Sequence, residues 1–441
     1  MWRWLEIYRV ALDPIDIYRY VEPFLGGETY ALIYYSGIYD NGCGKVVAAF
    51  EPLIEYTLYS GGKALVEGRG SKDISIVGDP FTDLRNLLEH TYRLGKNIPV
   101  LGFISYESLI YSEESLSNAI PLGIYPLASF IVPRTYATID LCNGQADLRS
   151  LFGKGIKIYG GKRVESSVDS GVELIEVSHD RRSFEDLVAR AKERIYDGEV
   201  FQIVLSRYKV YSYRGSPLDL FTRVLKGIGG NPYAYIYRTG DLMIVGASPE
   251  PLIIARGRVV ETFPVAGTRR RVPGREGEIY RRLVSNEKER AEHMMLVDLA
   301  RNDLGRIAIP GSVRVVKLMF PQVLPNVVHL VSRVRGVLKS FSDSFEALRS
   351  LFPAGTVTGA PKHRAMKLIA EFEGRAREAY AGVIGFAMDR YVNFAITIRS
   401  AFIAGDRLRI QAGAGIVSDS RPGDEYIETE NKMAIIERVL R

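Results

Sequence analysis

Upstream of residue 150 the runs TYALIYYSG, KVVAAFEP and ISIVG are β-branched or aromatic, with turn residues between them. That pattern predicts strands and a mixed sheet domain. Further on, the period changes. Phe184, Leu187, Val188, Ala191 and Ile195 recur at helical spacing, with Ser183 placed to cap the helix and Gly198 to stop it. VFQIVLSRYKVY then predicts a strand with Phe201, Ile203 and Leu205 on one face. Gln202, Val204 and Ser206 occupy the other, which is free to line a site. Strands follow near 233–239, 242–247, 251–256 and 259–263, a long helical stretch covers 275–304, and strands return near 326–337. Pro361 is placed to open another helix. Short turns join several of these strands, so an antiparallel α+β layout is expected rather than a doubly wound parallel sheet. Between the two parts, FGKGIKIYGGKRVESSVDSGVE is rich in Gly, Ser and charge and reads as a linker. The expected division is 1–165 and 178–438.

The 441 residues suffice for one large enzyme-sized unit or two fused ones. No apolar run is long enough to span a bilayer. The start, MWRWLEIYRVALDPIDIYRY, carries Arg3, Glu6 and Arg9 and no small-residue cleavage site, so the cytoplasm is the expected compartment. Cys43 and Cys142 are too few for a disulfide framework and are not spaced for zinc; both are expected to be reduced. A net charge of +6 raises the question of nucleic acid. However, the densest basic cluster, Arg269 to Arg271, lies beside a Pro/Gly turn and no stretch interleaves cations with aromatics, which argues against it.

Chemistry concentrates in the second part. Glu289 and Glu292 lie three apart on a helix and share a face; Glu425, Glu428 and Lys432 form a second stripe. Each stripe alone is compatible with solvated surface carboxylates. Should the two meet, a divalent cation is needed to tolerate them, and oxygen-only ligands favour Mg²⁺. GTVTGAPKHR and AGAGIVSDS lack the spacings of nucleotide-phosphate loops, yet their amides can hold a carboxylate. Arg399, in FAITIRSAF, is a cation inside an apolar strand and needs an anion, either a structural partner or a ligand. Glu250 and His329 are single titratable residues in apolar surroundings, where burial prepares a carboxyl to act as an acid.

In chain order, FQIVLSR, ASPE, FPVAGTR, KERAEHMMLVDLARNDLG, GTVTGAPK and AGAGIVSDS with EYIETENK resemble the chorismate-utilising enzymes over about residues 178–438. The resemblance implies antiparallel sheets packed as a sandwich with helices outside, and an N-terminal regulatory subdomain. Water-adding members carry a lysine base where this chain has Gln202, and aminodeoxychorismate synthases carry a lysine where Pro264–Thr268 has Ala266. The likeness is therefore to the ammonia-using anthranilate synthase large subunits, with aminodeoxychorismate synthase as the alternative. It implies Glu292 and Glu428 as principal Mg²⁺ ligands and Glu289 and Glu425 as water-holding ones. Thr356, Tyr380, Arg399, Lys432 and the Gly413–Ala414–Gly415 turn would line the chorismate pocket, with Thr268 near the ring. Glu250 is implied as the acid for the departing hydroxyl, and His329 as an aid to pyruvate elimination. The chain has no glutaminase cysteine elbow, so a separate glutamine amidotransferase subunit is expected. Ser36, Asn231 and Pro232 remain of the tryptophan-binding elements and, with Tyr233 beside them, imply an altered inhibitor site.

Overall fold

The computed structural model describes residues 4–11, 29–39, 43–95, 98–151, 172–227, 231–324 and 327–440. Every strand pairing named below is antiparallel. In one sheet Tyr30–Tyr35 lies between Lys45–Leu58 and Tyr233–Thr239. Leu242–Gly246, Ser400–Ala404, Arg407–Ile416 and Gln202–Ser212 continue it in that order. The other sheet runs from Val100–Ile104 through Val383–Met388, Tyr391–Ile396, Pro251–Arg256 and Val259–Thr262 to Val327–Val337. Val265–Arg270 and Arg314–Val323 flank the last strand.

One long pair joins the two sheets. Lys45–Leu58 and Ala128–Asp140 stay paired from Lys45↔Asp140 to Leu58↔Ala128, with a break in register at Pro52 and Ile54. Pro52 faces Pro133, neither of which has an N–H for the ladder, and Glu51 takes a φ of 45°. The pair bends there, so its first half lies beside Tyr30–Tyr35 and its second beside Val100–Ile104.

Strand alternation decides what each face buries. Ala31, Ile33 and Tyr35 enter a core shared with Leu101, Phe103, Ile384 and Phe386. Tyr30 and Leu32 face the opposite way, onto a second cluster. Eight α-helices among the described residues clothe the sheets: α1 Pro80–Leu94, α2 Arg181–Tyr196, α3 Pro217–Gly227, α4 Glu276–Ser285, α5 Glu287–Gly305, α6 Asp343–Leu351, α7 Lys362–Glu373 and α8 Pro422–Leu440. Leu220 and Phe221 of α3 meet Met433 and Ile436 of α8 over the outer face of the first sheet. Phe184 and Leu187 of α2 meet Leu368 of α7 over Ile203 and Leu205. The expected α+β sandwich with outer helices is what the chain forms. No helix of the described residues is long and apolar enough to cross a membrane.

Four expectations need correction. α2 is capped by Asp180, whose carboxylate accepts the Ser183 N–H at 2.8 Å; Ser183 itself lies inside the first turn. The helical stretch 275–304 is broken at Asn286, which has an extended backbone and accepts the Glu289 N–H at 3.0 Å, ending α4 and capping α5. Phe201 does not join Ile203 and Leu205: it precedes the strand and is 71% exposed. Finally, Cys43 and Cys142 are disulfide-bonded. They lie 99 residues apart, but the register Lys45↔Asp140 carries both to one end of the long pair, with Cα atoms 5.3 Å apart. Most of the expected linker, 152–171, lies outside the described residues.

Candidate active site

The two acid-bearing helices bring their carboxylates within electrostatic reach of one another. The Asn286 cap starts α5, which carries Glu289 and Glu292, and α8 carries Glu425, Glu428 and Lys432. Burial raises the Glu292 carboxyl above its ordinary value, and the charges of Glu289, Glu425 and Glu428 add to the rise while Lys288 opposes it. Glu425 is raised by burial too, with Glu428 adding and a hydrogen bond from Ser420 opposing. Three of the four have cationic partners: Lys432 Nζ lies 2.5 Å from Glu428, Arg269 Nη2 lies 3.3 Å from Glu289, and Lys288 Nζ lies 4.0 Å from Glu292. No three His, Cys, Asp or Glu side chains among the described residues stand close enough together to share one cation. In kind, the oxygen-only donor set suits a hard divalent ion, and the mutual repulsion felt at Glu292 is what such an ion would relieve. Gly267 belongs to the same corner. It has a φ of 69°, which favours glycine, and a Cβ there would meet the movable end of the Glu289 side chain, Oε2, at 2.9 Å.

Beside the acids lies a set of groups without ordinary charges. Glu250 is buried just before the strand Pro251–Arg256, where the Thr356 hydroxyl donates to its Oε1 at 2.8 Å. Burial pushes its carboxyl up to about 8, with the Thr356 bond and the positive charges of Arg399 and Lys432 pulling the other way. His329 pairs in register with Thr268, whose Oγ1 lies 2.8 Å from its Nδ1. Burial, aided by Arg399 and Lys432, brings the imidazole down to about 4, so it is neutral near neutral pH. Arg399 has a φ of 56°, and no carboxylate among the described residues lies within ion-pair distance of its guanidinium. Burial holds it below the ordinary arginine value. Arg399 thus lies not inside a strand, as expected, but in the bend between Tyr391–Ile396 and Ser400–Ala404, and with no structural partner it leaves the ligand alternative.

The second glycine-rich stretch is not the expected loop: Ala412–Ile416 ends the strand Arg407–Ile416, and its glycines make room. A Cβ on Gly413 would stand 2.9 Å from Val204 Cγ1 and 3.0 Å from the Tyr380 hydroxyl; one on Gly415 would stand 2.6 Å from Gln202 Nε2. The Gly413 N–H donates to the Tyr380 phenol, which burial raises to about 12, and the Gly413 carbonyl accepts from Lys432 Nζ at 2.7 Å. Gln202 has a buried Oε1 with no partner. Ala414 lies on the other face of the strand, among Ile203, Leu205 and Phe184, and so packs the core instead of lining the pocket. The remaining expected residues therefore converge on one region.

Residues 39–438 match the family described as chorismate binding enzyme. The chain belongs to that family. The match reaches well upstream of 178, into the strands that complete both sheets. As a family member the chain is similar to anthranilate synthase component 1 of Archaeoglobus fulgidus, 37% identical over 436 residues that cover 98% of each chain. It is also 49% identical to that of Methanothermobacter marburgensis over 362 residues, 80% of this chain and 77% of the relative. Among solved structures, anthranilate synthase component I from Streptococcus pneumoniae TIGR4 superposes with a TM-score of 0.75 at 29% identity, covering 99% of both chains. The menaquinone-specific isochorismate synthase of Escherichia coli shares the fold, with a TM-score of 0.75 at 20% identity over all of this chain and 95% of that one.

The four residues expected at an altered inhibitor site also meet, through the pairing of Tyr30–Tyr35 with Tyr233–Thr239. The Ser36 N–H donates to Pro232 O at 2.8 Å, Asn231 Nδ2 donates to Ala247 O at 3.0 Å, and Tyr233 stacks on Tyr35 at 4.8 Å. One buried group at the family site was missed. Arg377, 1% exposed, donates to Val204 O at 2.8 Å and Val357 O at 2.7 Å and pairs with Glu373. It thereby holds the backbones beside Gln202 and Thr356. The signal that singled out Arg399, a cation next to an apolar strand, was equally present in REAYAGVIGF.

Proposed function

We propose that this chain is the ammonia-using synthase component of an anthranilate synthase, converting chorismate and ammonia to anthranilate and pyruvate for tryptophan biosynthesis. The observation that carries the reading is the pocket's chemistry: a protonated Glu250 and a neutral His329 share one space with an unpaired Arg399. Chorismate is a dianion, so Arg399 and Lys432 supply what its carboxylates need, while Tyr380, Thr356 and the Gly413 and Gly415 backbone shape the seat. Ala266, where a covalent route would need an amine, has no nucleophile, and Gln202 is no base for water. Gln202 favours ammonia over water, and Ala266 weighs against the aminodeoxychorismate alternative.

In this reading ammonia forms the new C–N bond as the ring double bonds shift, and the 4-hydroxyl leaves as water with the proton of Glu250. Thr356 aims that carboxyl by its hydrogen bond. Pyruvate then leaves as the ring loses a proton and becomes aromatic; His329, neutral and held by Thr268, is the group placed to move it. Glu292 and Glu428 would hold Mg²⁺, with Glu289 and Glu425 orienting its water, and the ion would supply positive charge to the substrate carboxylate. A separate glutamine amidotransferase would deliver ammonia, tryptophan would act at Ser36, Asn231, Pro232 and Tyr233, and the cytoplasm would be the place of work.

The test is chorismate with ammonium salts, with and without Mg²⁺, followed by anthranilate fluorescence and a pyruvate assay. The isolated chain should be active with ammonium and inactive with glutamine. An aminated product that retains its enolpyruvyl group would shift the assignment to the alternative.

A further inference from the structure

The loop that follows Tyr30–Tyr35 sends one side chain far from its own strand. Tyr39 is 4% exposed, its backbone N–H donates to the Tyr35 hydroxyl at 3.2 Å, and its ring packs on Phe263 at 4.6 Å. Its hydroxyl reaches across the sandwich. It lies 3.0 Å from the carbonyl of Pro249, the residue before Glu250, and 2.6 Å from the side-chain amide of Gln322. Gln322 in turn is the cross-strand partner of His329. One phenolic proton cannot serve two acceptors at full strength. In the structure the phenol points at Gln322 Oε1 and Nε2 has no partner; turning the amide over lets its NH₂ donate to the phenol while the phenol donates to Pro249.

We propose that Tyr39 is a positioning residue for Glu250, locking the Pro249–Glu250 peptide to Gln322 and so fixing the acid relative to His329. The inference rests on Glu250 being the acid. Glu250 has few other anchors: its carbonyl accepts the Ile396 N–H at 3.0 Å, its N–H meets Ser248 Oγ at 3.3 Å, and its carboxyl meets Thr356. Ser248 Oγ, at 3.3 Å from both the Glu250 N–H and carbonyl, touches the same peptide from within the turn, whereas Tyr39 alone among the described residues grips the Pro249 carbonyl. The side chain that aims the acid is thus delivered from the loop joining Tyr30–Tyr35 to Lys45–Leu58, outside the run of family motifs between 178 and 438.

The test is Tyr39→Phe in the full chain, assayed with chorismate, ammonium and saturating Mg²⁺ beside Gln322→Leu and Glu250→Gln. Tyr39→Phe removes only the hydroxyl; kcat should fall about tenfold with KM unchanged, as a small misplacement of a reacting group does. Glu250 faces Thr356, Arg399 and Lys432, and slackening the peptide lets water in, so the alkaline limb of the kcat profile should move to lower pH. Gln322→Leu should reproduce both effects, and the double variant should be no worse than either single one. Parental kcat and an unmoved limb in Tyr39→Phe, with Glu250→Gln inactive, overturn the positioning role alone. A loss of activity that tracks a lower unfolding temperature, with the limb in place, reduces Tyr39 to scaffold and also overturns it. An active Glu250→Gln removes the acid itself, and the inference with it.

Discussion

At the scale of single residues, one cause acts in opposite directions on two groups. Burial penalises charge, so it lifts the Glu250 carboxyl to about 8 and drops the His329 imidazole to about 4. Between those values Glu250 still holds a proton to give and His329 still has a free nitrogen, so kcat, corrected for free ammonia, should plateau there. It should decline as pH rises through about 8 and as it falls through about 4. Glu250→Gln should abolish turnover and leave chorismate binding intact. The same variant carries a stability signature. A carboxyl whose folded pKa lies above its unfolded value stabilises the fold at low pH, and that contribution is lost as pH rises through the folded pKa. Glu250→Gln should therefore unfold at a higher temperature than the parent near pH 9, with no such advantage near pH 4, and equal midpoints at both would refute the burial argument. Glu250, His329 and Arg399 could be singled out in the sequence because a lone titratable residue in an apolar run is conspicuous. Tyr39 could not, because an isolated tyrosine in a Gly-rich turn looks like a solvent-facing side chain until the fold closes over it.

At the scale of elements, the acid stripe on α5 depends on where that helix starts. Asn286 ends one helix and caps the next, and its Oδ1 takes the N–H of Glu289. Removing the cap in Asn286→Ala should cost about 1 kcal/mol of stability. It should also raise the Mg²⁺ concentration needed for half-maximal activity, because Glu289 and Glu292 sit in the first two turns and would fray with it. A stability loss without any change in metal response would separate the cap from the acids. The helical period was readable across 275–304, but the period continues through a residue that leaves the helix, so the interruption was not. Alternation served the strands better. It assigned Ile203 and Leu205 to the core and Gln202 to the site, yet the implied substrate loop Gly413–Gly415 included Ala414, whose parity points it into the core. Resemblance carries over whole loops, whereas the pleat sorts their residues one by one.

At the scale of the molecule, the Cys43–Cys142 bond closes a long loop around the bent strand pair. In the chain-entropy account a loop of this length contributes up to roughly 4–5 kcal/mol, and measured bridges more often give about 2–4. Cys142→Ser, or reduction of the parent, should lower the guanidinium unfolding midpoint; superimposable curves would show that the bridge adds nothing. Both cysteines are exposed, so reductant can reach them. Such bonds are uncommon in the cytosol outside hyperthermophiles, which makes the redox state of the purified chain worth measuring beside its activity. Two cysteines far apart in sequence gave no hint of pairing because the register that joins them is a property of strands, not of spacing. The antiparallel α+β class, by contrast, was legible in the strand runs and short turns, and the sandwich packing in the family resemblance.

The bent pair has a consequence for how proteins of this architecture can diverge. Tyr35 meets Tyr233 in one sheet and Ile104 meets Val383 in the other, so early and late segments are woven together twice. A recombinant that took its first 150 residues from one relative and the rest from another would have to match partners along both seams at once. New effector responses in this lineage are therefore more easily gained by exchanging side chains on a fixed weave than by trading modules.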